Sequence, residues 1–525
     1  MVTEDQTEIV KFLSSPSTHD GAAVERVETH ASVIFLAGTR ALKLKRAVRY
    51  EYLDFSTAER RKTMCDAELR INRRVAPSLY LGVIPVTREQ DGSLALGGRG
   101  TPVDWVLEMV RFDQEGLFDR LAERGALDRD LMQPLASAIA RFHQSAEVRH
   151  DRGGLSGLTW VIDGNAAGLA EHGAGVLDSA ACTSLTREAG RVLDRGGSLL
   201  DARREAGRVR QCHGDLHLRN IVLLDGRPTL FDAIEFNDRI ACIDVLYDLA
   251  FLLMDLWRRR LPGHANAVLN GYLAETTDFE GMPLLPLFLS CRAAVRAKTS
   301  VTAAGLQSDV VRRRESEQLA RGYLEMARRL LHPSPPCLIA VGGLSGTGKS
   351  TLAQGLAPSV GPVPGAVIIR SDDIRKRLCG VDPLQRLGPE GYTSEVSRRV
   401  YDAVVERAAV VVRGGHAAIA DAVFVRPSDR EDIERAAVDA GVPFVGIWLD
   451  APEAELLARI AQRQRDPSDA DAEVIRAQLS QDPGPIAWQR CESSGTSEEM
   501  HRRAIGILED QLGRGILDVA SRAPA

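Results

Sequence analysis

HGDLHLRN, at residues 213–220, is the stretch that best predicts the fold of the N-terminal part of this 525-residue chain. An Asp and an Asn on one tight loop can divide the work of phosphoryl transfer. The carboxylate of Asp215 would accept the proton of an attacking hydroxyl, and the amide oxygen of Asn220 would hold a magnesium ion on the phosphates. The stretch therefore predicts a catalytic loop.

A second carboxylate follows at the distance that this chemistry needs. The short apolar strand Thr229-Leu230-Phe231-Asp232 ends in Asp and comes after a hairpin turn at Asp225-Gly226. Kinases place their other metal ligand at this point. A surface turn with a capping Asp is the alternative, but the order of loop, turn, strand and Asp232 favours a metal ligand.

Three runs, HGDLHLRN, LFDAIEF and DVLYDLA, resemble the aminoglycoside phosphotransferase family, small-molecule kinases with a protein-kinase-like fold. The resemblance implies Asp215 as the catalytic base and Asn220 and Asp232 as magnesium ligands. It also implies that Asp244 and Asp248, in the third run, support the loop structurally. The family name does not fix the acceptor, which need not be an antibiotic.

Length, charge and cysteine content narrow the class of protein. A chain of 525 residues is too long for one core, and its net charge of −6 provides no overall basic field for nucleic acid or an anionic membrane. The eight cysteines include no CxxC pair, which argues against a zinc site or a disulfide framework. The N-terminus lacks signal-peptide features, and the most apolar helix is too short to span a bilayer. We expect a cytoplasmic protein with a small-molecule partner; the sequence does not indicate an oligomeric state.

The N-terminal strands carry two candidate phosphate-binding lysines. Alternating apolar residues predict strands at 33–36 and 41–45. Lys43 and Lys45 are two positions apart, so both point to the same face and either could contact the nucleotide. We favour Lys43, because the preceding Ala41 matches the small-x-Lys pattern of a kinase strand. A solvated strand lysine is the alternative.

The helix that follows contains Glu68, the expected partner of the strand lysine. A capping box of Ser56 and Glu59 predicts where this helix begins. Its many arginines make a surface ion pair the competing role for Glu68. The next expected contact is the backbone of Met109, in a strand at 105–110 where an adenine-binding hinge would fall. No GxGxxG lies between the first two strands, so the usual phosphate-covering loop is missing or built differently.

A second nucleotide site follows a proline-rich break at 332–336, which we take as a linker between domains 1–331 and 337–525. The apolar strand at 337–341 leads into a complete GxxxxGK[ST] motif. Backbone amides would surround phosphates, Lys349 would reach the β and γ phosphates, and Ser350 would bind magnesium. The predicted nucleotide-binding residues of this loop are Gly343, Leu344, Ser345, Gly346, Thr347, Gly348, Lys349, Ser350 and Thr351.

Later segments favour a kinase over other P-loop proteins. The strand at 367–370 places Asp372 at a strand's carboxyl end, where it can accept a hydroxyl proton. Asp421, after another strand, is the candidate Walker B residue for magnesium, with a helix-capping role as the alternative. Arg459 and Arg463 precede an acidic stretch and predict a lid over the phosphates.

This half resembles the gluconate-kinase, polynucleotide-kinase and zeta-toxin group of P-loop kinases. The D-x-x-R from Asp372 to Arg375 matches the group's base and substrate-positioning arginine, and the adjacent Asp373 could substitute as base. The acidic stretch between 465 and 471 is unlike an RNA-binding lid, which favours a small molecule. The whole chain resembles bacterial fusions of an aminoglycoside-phosphotransferase-like domain with a P-loop kinase.

The expected fold is thus α/β and α+β: a two-lobed protein-kinase-like domain, then a P-loop NTPase domain with a parallel sheet flanked by helices. The expected function is transfer of the γ-phosphate of ATP, with Mg²⁺, to a hydroxyl of a small polar molecule at two sites. That molecule could be a sugar, an aminoglycoside-like compound or a nucleotide sugar. In one alternative only the P-loop half is a kinase and the first domain regulates it. In another the chain is a non-catalytic ATP-dependent switch that binds a partner protein.

Overall fold

The computed structural model describes residues 2–50, 52–382, 385–461, 469, 472–513, 515 and 517. The chain forms two compact units. The first comprises Met1–Trp160 and Gly197–Leu252, and the second comprises Val161–Gly196 and Leu253–Ala525. The domain ranges 1–331 and 337–525 stay predictions.

The first unit contains a six-stranded antiparallel sheet of order β1-β2-β3-β8-β6-β7. A short helix, α1 (Thr7–Leu13), precedes it. The strands of this region are β1 (Val24–Glu28), β2 (Ser32–Ala37), β3 (Arg40–Lys45), β4 (Arg49–Tyr50), β5 (Leu53–Asp54), β6 (Tyr80–Arg88), β7 (Leu94–Leu96) and β8 (Thr101–Val110). β4 and β5 form a separate small hairpin.

Side chains of β3 alternate between two apolar layers, as the pleat of a strand requires. Leu42 and Leu44 pack with α1 in one layer. Ala41 belongs to the opposite layer, together with Leu107 and Met109 of β8. Lys43 and Lys45 therefore emerge on the second face.

Helix α2 (Ala58–Asn72) has a mostly polar sequence, but one of its faces is buried. Its N-cap is Thr57, whose hydroxyl accepts from the backbone N–H of Arg60. The predicted capping box of Ser56 and Glu59 was wrong, because the helix begins one residue later than that pattern assumed. Glu68 lies on the buried face.

The remaining elements up to the linker are mainly helical. They are α3 (Phe118–Glu123), α4 (Met132–Gln144), α5 (Gly154–His172), α6 (Ser179–Glu205), β9 (Val209–Gln211), β10 (Ile221–Leu224), β11 (Arg227–Leu230), α7 (Asp238–Ala241), β12 (Cys242–Asp244), α8 (Val245–Arg258), α9 (Pro262–Thr276), α10 (Leu285–Leu306) and α11 (Val310–Leu330). The predicted hairpin at Asp225 and Gly226 joins β10 to β11, with φ of 49° and 72° at the two turn residues. Among the described residues, none of the helices has the length and apolar character needed to cross a bilayer.

The second unit contains a five-stranded parallel sheet of order β14-β15-β13-β16-β17. Its elements after the linker are β13 (Leu338–Gly343), α12 (Lys349–Leu356), β14 (Val367–Arg370), α13 (Ser371–Leu378), α14 (Ser394–Arg413), β15 (Ala418–Asp421), α15 (Pro427–Ala440), β16 (Phe444–Asp450), α16 (Glu453–Ala461), α17 (Ala472–Leu479), β17 (Gln489–Glu492) and α18 (Ser497–Leu512). The carboxyl ends of parallel strands share one edge of the sheet, which is where such folds bind ligands. The P-loop after β13, the helix after β14 and the Asp at the end of β15 all lie there.

One edge of this sheet is covered by asparagines that precede the linker. The Asn270 side-chain oxygen accepts from the backbone N–H of Ile368 in β14 at 2.7 Å. The amide groups of Asn266 and Asn270 donate to the Ala366 carbonyl at 3.0 and 3.2 Å. Helix α9 thus supplies hydrogen bonds that a neighbouring strand would otherwise make.

Candidate active sites

Glu68 holds both strand lysines at once. Its Oε1 lies 2.7 Å from Lys43 Nζ, and its Oε2 lies 2.6 Å from Lys45 Nζ. The Glu68 side chain is fully buried, which excludes the alternative of a surface ion pair. Helix α2 and strand β3 therefore meet at a charged contact of the kind that kinases use to place a phosphate-binding lysine.

The two lysines differ in their other partners, and this difference distinguishes their roles. Lys43 also lies 2.5 Å from Asp232 Oδ1, and that carboxylate is partly open to solvent. Lys45 is buried: it contacts the buried Glu235 and lies 4.9 Å from the centre of the Phe55 ring. Lys43 is thus the lysine that faces the expected metal ligand, and Lys45 has a buried structural pair.

Burial and opposite charges act on the pKa values of this cluster. Burial lowers the pKa of Lys43, but the charges of Asp232 and Glu68 outweigh it and raise that pKa well above its usual value. For Glu68, burial raises the pKa, yet the two ammonium groups bring it below the usual range. For Glu235 burial prevails, and its pKa is raised despite Lys45. Sequence reasoning missed Glu235, although it lies within the quoted run LFDAIEF.

Asp215 and Asn220 lie together on the loop, as predicted. The Asn220 amide donates to the carbonyl and to the carboxylate Oδ2 of Asp215, at 2.9 and 3.0 Å. His217 Nε2 lies 3.2 Å from the same carboxylate oxygen. Asp232 follows β11 with a φ of 61°, and its backbone N–H donates to the Tyr80 hydroxyl at 2.9 Å. The carboxylate of Asp232 and the amide oxygen of Asn220 are hard oxygen donors, which fit a magnesium ion.

Asp248 supports the loop that carries Asp215 and Asn220. This buried carboxylate accepts from the backbone N–H groups of His213 and Gly214 at 3.0 and 2.9 Å, and lies 3.1 Å from His143 Nε2. Burial lowers the pKa of His213. The ligand atoms of His143, Cys212 and Asp248 lie within 4.8 Å of one another, but these N–H donors already engage Asp248. The cluster is therefore a structural support.

The turn between β1 and β2 takes the place of a glycine-rich loop. The Thr29 hydroxyl accepts from the backbone N–H groups of Ala31 and Ser32 at 3.3 and 2.9 Å. In a glycine-rich loop such amides are available for phosphates. Here the Thr29 side chain engages them, and the His30 ring stands at the tip of the turn.

Met109 lies inside the sheet, opposite Ala41 of β3 and Tyr80 of β6. Its side chain is buried among residues that include Leu107. The next two residues continue the pairing, because the N–H groups of Val110 and Arg111 donate to carbonyls of neighbouring segments. A backbone contact of Met109 with adenine stays a prediction.

The P-loop adopts backbone angles that require glycine. Gly343, Gly346 and Gly348 have φ of 134°, 91° and 88°. A side chain at Gly343 would place its Cβ 2.6 Å from the Leu449 carbonyl oxygen. The Lys349 ammonium donates to the Leu344 carbonyl at 3.0 Å, inside the loop that it would share with phosphates. Leu344, Ser345, Gly346 and Thr347 form the turn, and Thr351 continues α12.

Gln478 was not predicted, yet it contacts the loop at Ser345. The Ser345 backbone N–H donates to the Gln478 side-chain oxygen at 2.9 Å, and the Gln478 amide donates to the Ser345 hydroxyl at 3.1 Å. A glutamine in a helix gives no signal in sequence that could have revealed this contact.

Ser350 and Asp421, which are predicted to bind magnesium, lie in contact, and their role in metal binding stays a prediction. The Ser350 hydroxyl donates to Asp421 Oδ2 at 2.6 Å, and Arg370 Nε lies 3.7 Å from the same oxygen. Burial raises the pKa of Asp421, while the positive charges of Arg370 and Lys349 lower it. A hydroxyl and a carboxylate at this position fit a magnesium ion on bound phosphates.

Asp372 and Asp373 lie in the first turn of α13, both half-buried, so either could act as base. Arg375 is buried one turn further on. Its guanidinium donates to the Gly391 carbonyl at 2.8 Å and lies 4.8 Å from the centre of the Tyr392 ring. The predicted base and arginine thus lie on one short helix beside the P-loop sheet, and their roles stay predictions.

The predicted lid arginines are only partly described. Arg459 donates to the Ser493 carbonyl at 2.6 Å and lies 3.2 Å from a carboxylate oxygen of Glu455. Its guanidinium is thus engaged at the end of β17. Arg463 lies outside the described residues, so its place over the phosphates stays a prediction.

Comparison with known proteins agrees with this two-site arrangement. The Phosphotransferase enzyme family model matches residues 48–285, and the AAA domain model matches residues 338–483. An uncharacterized protein of Mycobacterium tuberculosis is 30% identical over 487 residues, which cover 91% of this chain and 94% of that protein. The chain belongs to the family of that protein, which joins a phosphotransferase domain to a P-loop kinase domain.

Two solved structures are similar to parts of this chain. A choline/ethanolamine kinase family protein from Mesorhizobium loti is 15% identical, with a TM-score of 0.42, over 62% of this chain and 94% of that chain. A gluconokinase from Sinorhizobium meliloti is 22% identical, with a TM-score of 0.26, over 34% of this chain and 94% of that chain. The predicted family resemblance and fold class are confirmed, and both matched domains support phosphotransfer with ATP.

Proposed function

We propose that the chain is an ATP-dependent phosphotransferase with two sites, each acting on a hydroxyl of a small polar molecule. The single observation that carries the proposal is the grouping of Lys43, Glu68 and Asp232 beside the loop of Asp215 and Asn220. A site that only binds ATP does not need two neighbouring carboxylates. A site that transfers phosphate needs both, because one carboxylate, here Asp215, takes a proton while the other, here Asp232, holds the metal.

At the first site the acceptor hydroxyl attacks the γ-phosphorus of ATP. A new oxygen–phosphorus bond forms, the bond from the γ-phosphorus to the bridging oxygen breaks, and ADP leaves. Asp215 accepts the hydroxyl proton, and Lys43, oriented by Glu68, holds the α and β phosphates. Magnesium, held by Asn220 and Asp232, would neutralise charge on the phosphates.

The second site would perform the same phosphoryl transfer with a different set of residues. The amides of the P-loop and Lys349 would bind the phosphates of ATP, and Ser350 and Asp421 would hold a magnesium ion that neutralises charge on those phosphates. Asp372 or Asp373 takes the acceptor proton. Arg375 orients the acceptor.

A calorimetric titration with a non-hydrolysable Mg-ATP analogue tests the number of sites. The wild-type protein should bind two analogues, Lys349→Ala should bind one, and Lys349→Ala with Lys43→Ala should bind none. Lys62→Ala is the control, since this α2 lysine is exposed and its partners are Asp66 and the Trp105 ring, neither of which belongs to the proposed nucleotide sites. A wild-type count of one that falls to none in Lys349→Ala would contradict a nucleotide site in the first half.

A second candidate function has an observation of its own. Because Thr29 engages the amides that would cover phosphates, the first half could bind nucleotide without turning it over and regulate the P-loop kinase. In that case Asp215→Asn would leave all phosphorylation intact while the titration still counts two sites. Loss of one acceptor's phosphorylation in this variant would instead support the two-kinase proposal.

We also propose a cytoplasmic location and no nucleic-acid partner. The net charge of −6 and pI near 6.1 support the absence of a nucleic-acid partner, since binding of polynucleotides is dominated by basic surface. An identified acceptor from a screen of sugars, aminoglycosides and nucleotide sugars would test the substrate class.

A further inference from the structure

An exposed group of aromatic rings lies beside the first site and has no role in the chemistry above. Tyr50 and Tyr52, at the β4–β5 hairpin, stack with their ring centres 5.8 Å apart and planes 11° apart. The His30 ring lies 6.2 Å and 6.5 Å from them, and Phe236 lies 6.4 Å from Tyr52. We call these four residues the aromatic patch.

The patch is tied to the catalytic segment at two points. Phe236 follows Glu235, which contacts Lys45, and stands four positions after Asp232. The Asn237 side chain donates to the Tyr52 carbonyl at 3.1 Å and so fixes the hairpin to the same segment. The rings therefore lie beside the segment that carries Asp232, at the first site.

The rings of Tyr50 and Tyr52 are partly exposed to solvent, although each has an aromatic neighbour. Tyr50 is 37% exposed and Tyr52 is 41% exposed. Among the described residues, neither phenol hydroxyl hydrogen-bonds to the protein, so both can donate to a ligand. Burial and the neighbouring Tyr50 raise the pKa of Tyr52.

Local charge indicates which class of ring the patch would accept. Burial lowers the pKa of His30, and the positive Arg46 lowers it further, although Asp215 acts against both. Arg49, on the hairpin itself, is largely exposed and shares the Asp54 carboxylate with Arg60, so these three side chains together carry one net positive charge. A second cation would therefore be disfavoured here, whereas a neutral ring with one C–H face could stack on the phenols and accept their hydrogen bonds.

We propose that the aromatic patch binds the acceptor of the first site, and that this acceptor is a neutral carbohydrate or glycoside. The inference rests on the proposed function only in naming the ligand as an acceptor; binding itself needs no nucleotide. The alternative occupants are a ringless cation and a nucleoside.

Saturation-transfer NMR on the full-length protein without nucleotide tests the proposal. The probes are a set of neutral methyl glycosides (gluco, galacto, manno and ribo), with choline as the ringless cation and adenosine as the nucleoside. Tyr50→Ala with Tyr52→Ala removes the rings, and Tyr50→Phe with Tyr52→Phe keeps them. At least one glycoside should bind wild type, and its affinity should fall about tenfold or more in the Ala variant but much less in the Phe variant.

Three results would overturn the proposal: no glycoside binding, equal binding by the wild-type and Ala proteins, or choline or adenosine binding that alone depends on the rings. The Ala variant should also keep the wild-type number of Mg-ATP-analogue sites. If it loses one, the rings act on the fold and the proposal fails. A wild-type count of one analogue would instead defeat the proposed function of the first half and leave the glycoside result standing by itself.

Discussion

The buried pair of Lys45 and Glu235 provides a test of the charged cluster by a double-mutant cycle. Lys45→Met removes the ammonium and leaves the Glu235 carboxylate buried without its partner. Glu235→Gln leaves Lys45 with Glu68 alone. Both side chains are at most 5% exposed, and breaking such a pair costs about 3–5 kcal/mol because the remaining charge stays desolvated.

The two single variants should therefore differ in how much they destabilise the protein. Lys45→Met should cost more, since Glu68 also loses one of its two lysines. The double variant should cost less than the sum of the single changes, because replacing both partners leaves no unpaired charge between them. The coupling between Lys45 and Glu235 is the quantity to be measured.

Hydrogen exchange by mass spectrometry is the suitable assay, because a chain with two units need not unfold in one step. The free energy of opening would be read from peptides that cover β3 and α2. Lys62→Met with Asp66→Asn is the matched control on the same helix, where the pair is 44% and 50% exposed. Its coupling should stay below about 1 kcal/mol.

A second measurement follows from the charge of the cluster. The positive charges of the two lysines balance the negative charges of Glu68 and Glu235. With Asp232 included, the cluster therefore carries one net negative charge, which can attract a metal ion. Glu235→Gln should therefore weaken Mg²⁺-dependent nucleotide binding at the first site, even where folding is retained. Additive effects in the cycle, or a Mg²⁺ affinity unchanged by Glu235→Gln, would refute this account of the pair.

Three further predictions concern the catalytic residues. Asp215→Asn should lower turnover at the first site by about two to four orders of magnitude while nucleotide titration still detects the site; a smaller loss would argue against a general base. Burial raises the pKa of Asp421, so Mg-nucleotide affinity at the second site should fall as the pH drops through that raised value. Asp421→Asn should bind weakly at every pH and remove this dependence, as calorimetry across pH would report. Gly343→Ala should abolish binding at the second site, because its Cβ would approach the Leu449 carbonyl within 2.6 Å; undiminished affinity would contradict the loop geometry.

The catalytic motifs were accessible from sequence because each one is local. The loop of Asp215 and Asn220 and the P-loop of Lys349 are short runs whose residue types follow from the phosphates that they bind. Their order along the chain also predicted the hairpin before Asp232. The fold class followed from the same motifs.

Contacts between distant segments could not be predicted in this way. Lys43 and Lys45 share one strand face, and their contacts with Asp232 and Glu235, about 190 residues further on, separate their roles. The Thr29 turn was seen in sequence only as a missing glycine pattern, because a side-chain oxygen that engages amides leaves no motif. Gln478 reaches Ser345 across 133 positions.

The asparagines of α9 bear on how this protein can be divided or recombined. A fragment that begins at the linker would leave the outer edge of β14 without Asn266 and Asn270, and a bare strand edge invites pairing with other chains. Such a fragment should self-associate, whereas one that begins before residue 262 would retain the asparagines. These hydrogen bonds would therefore favour retaining α9 and the P-loop half in one polypeptide.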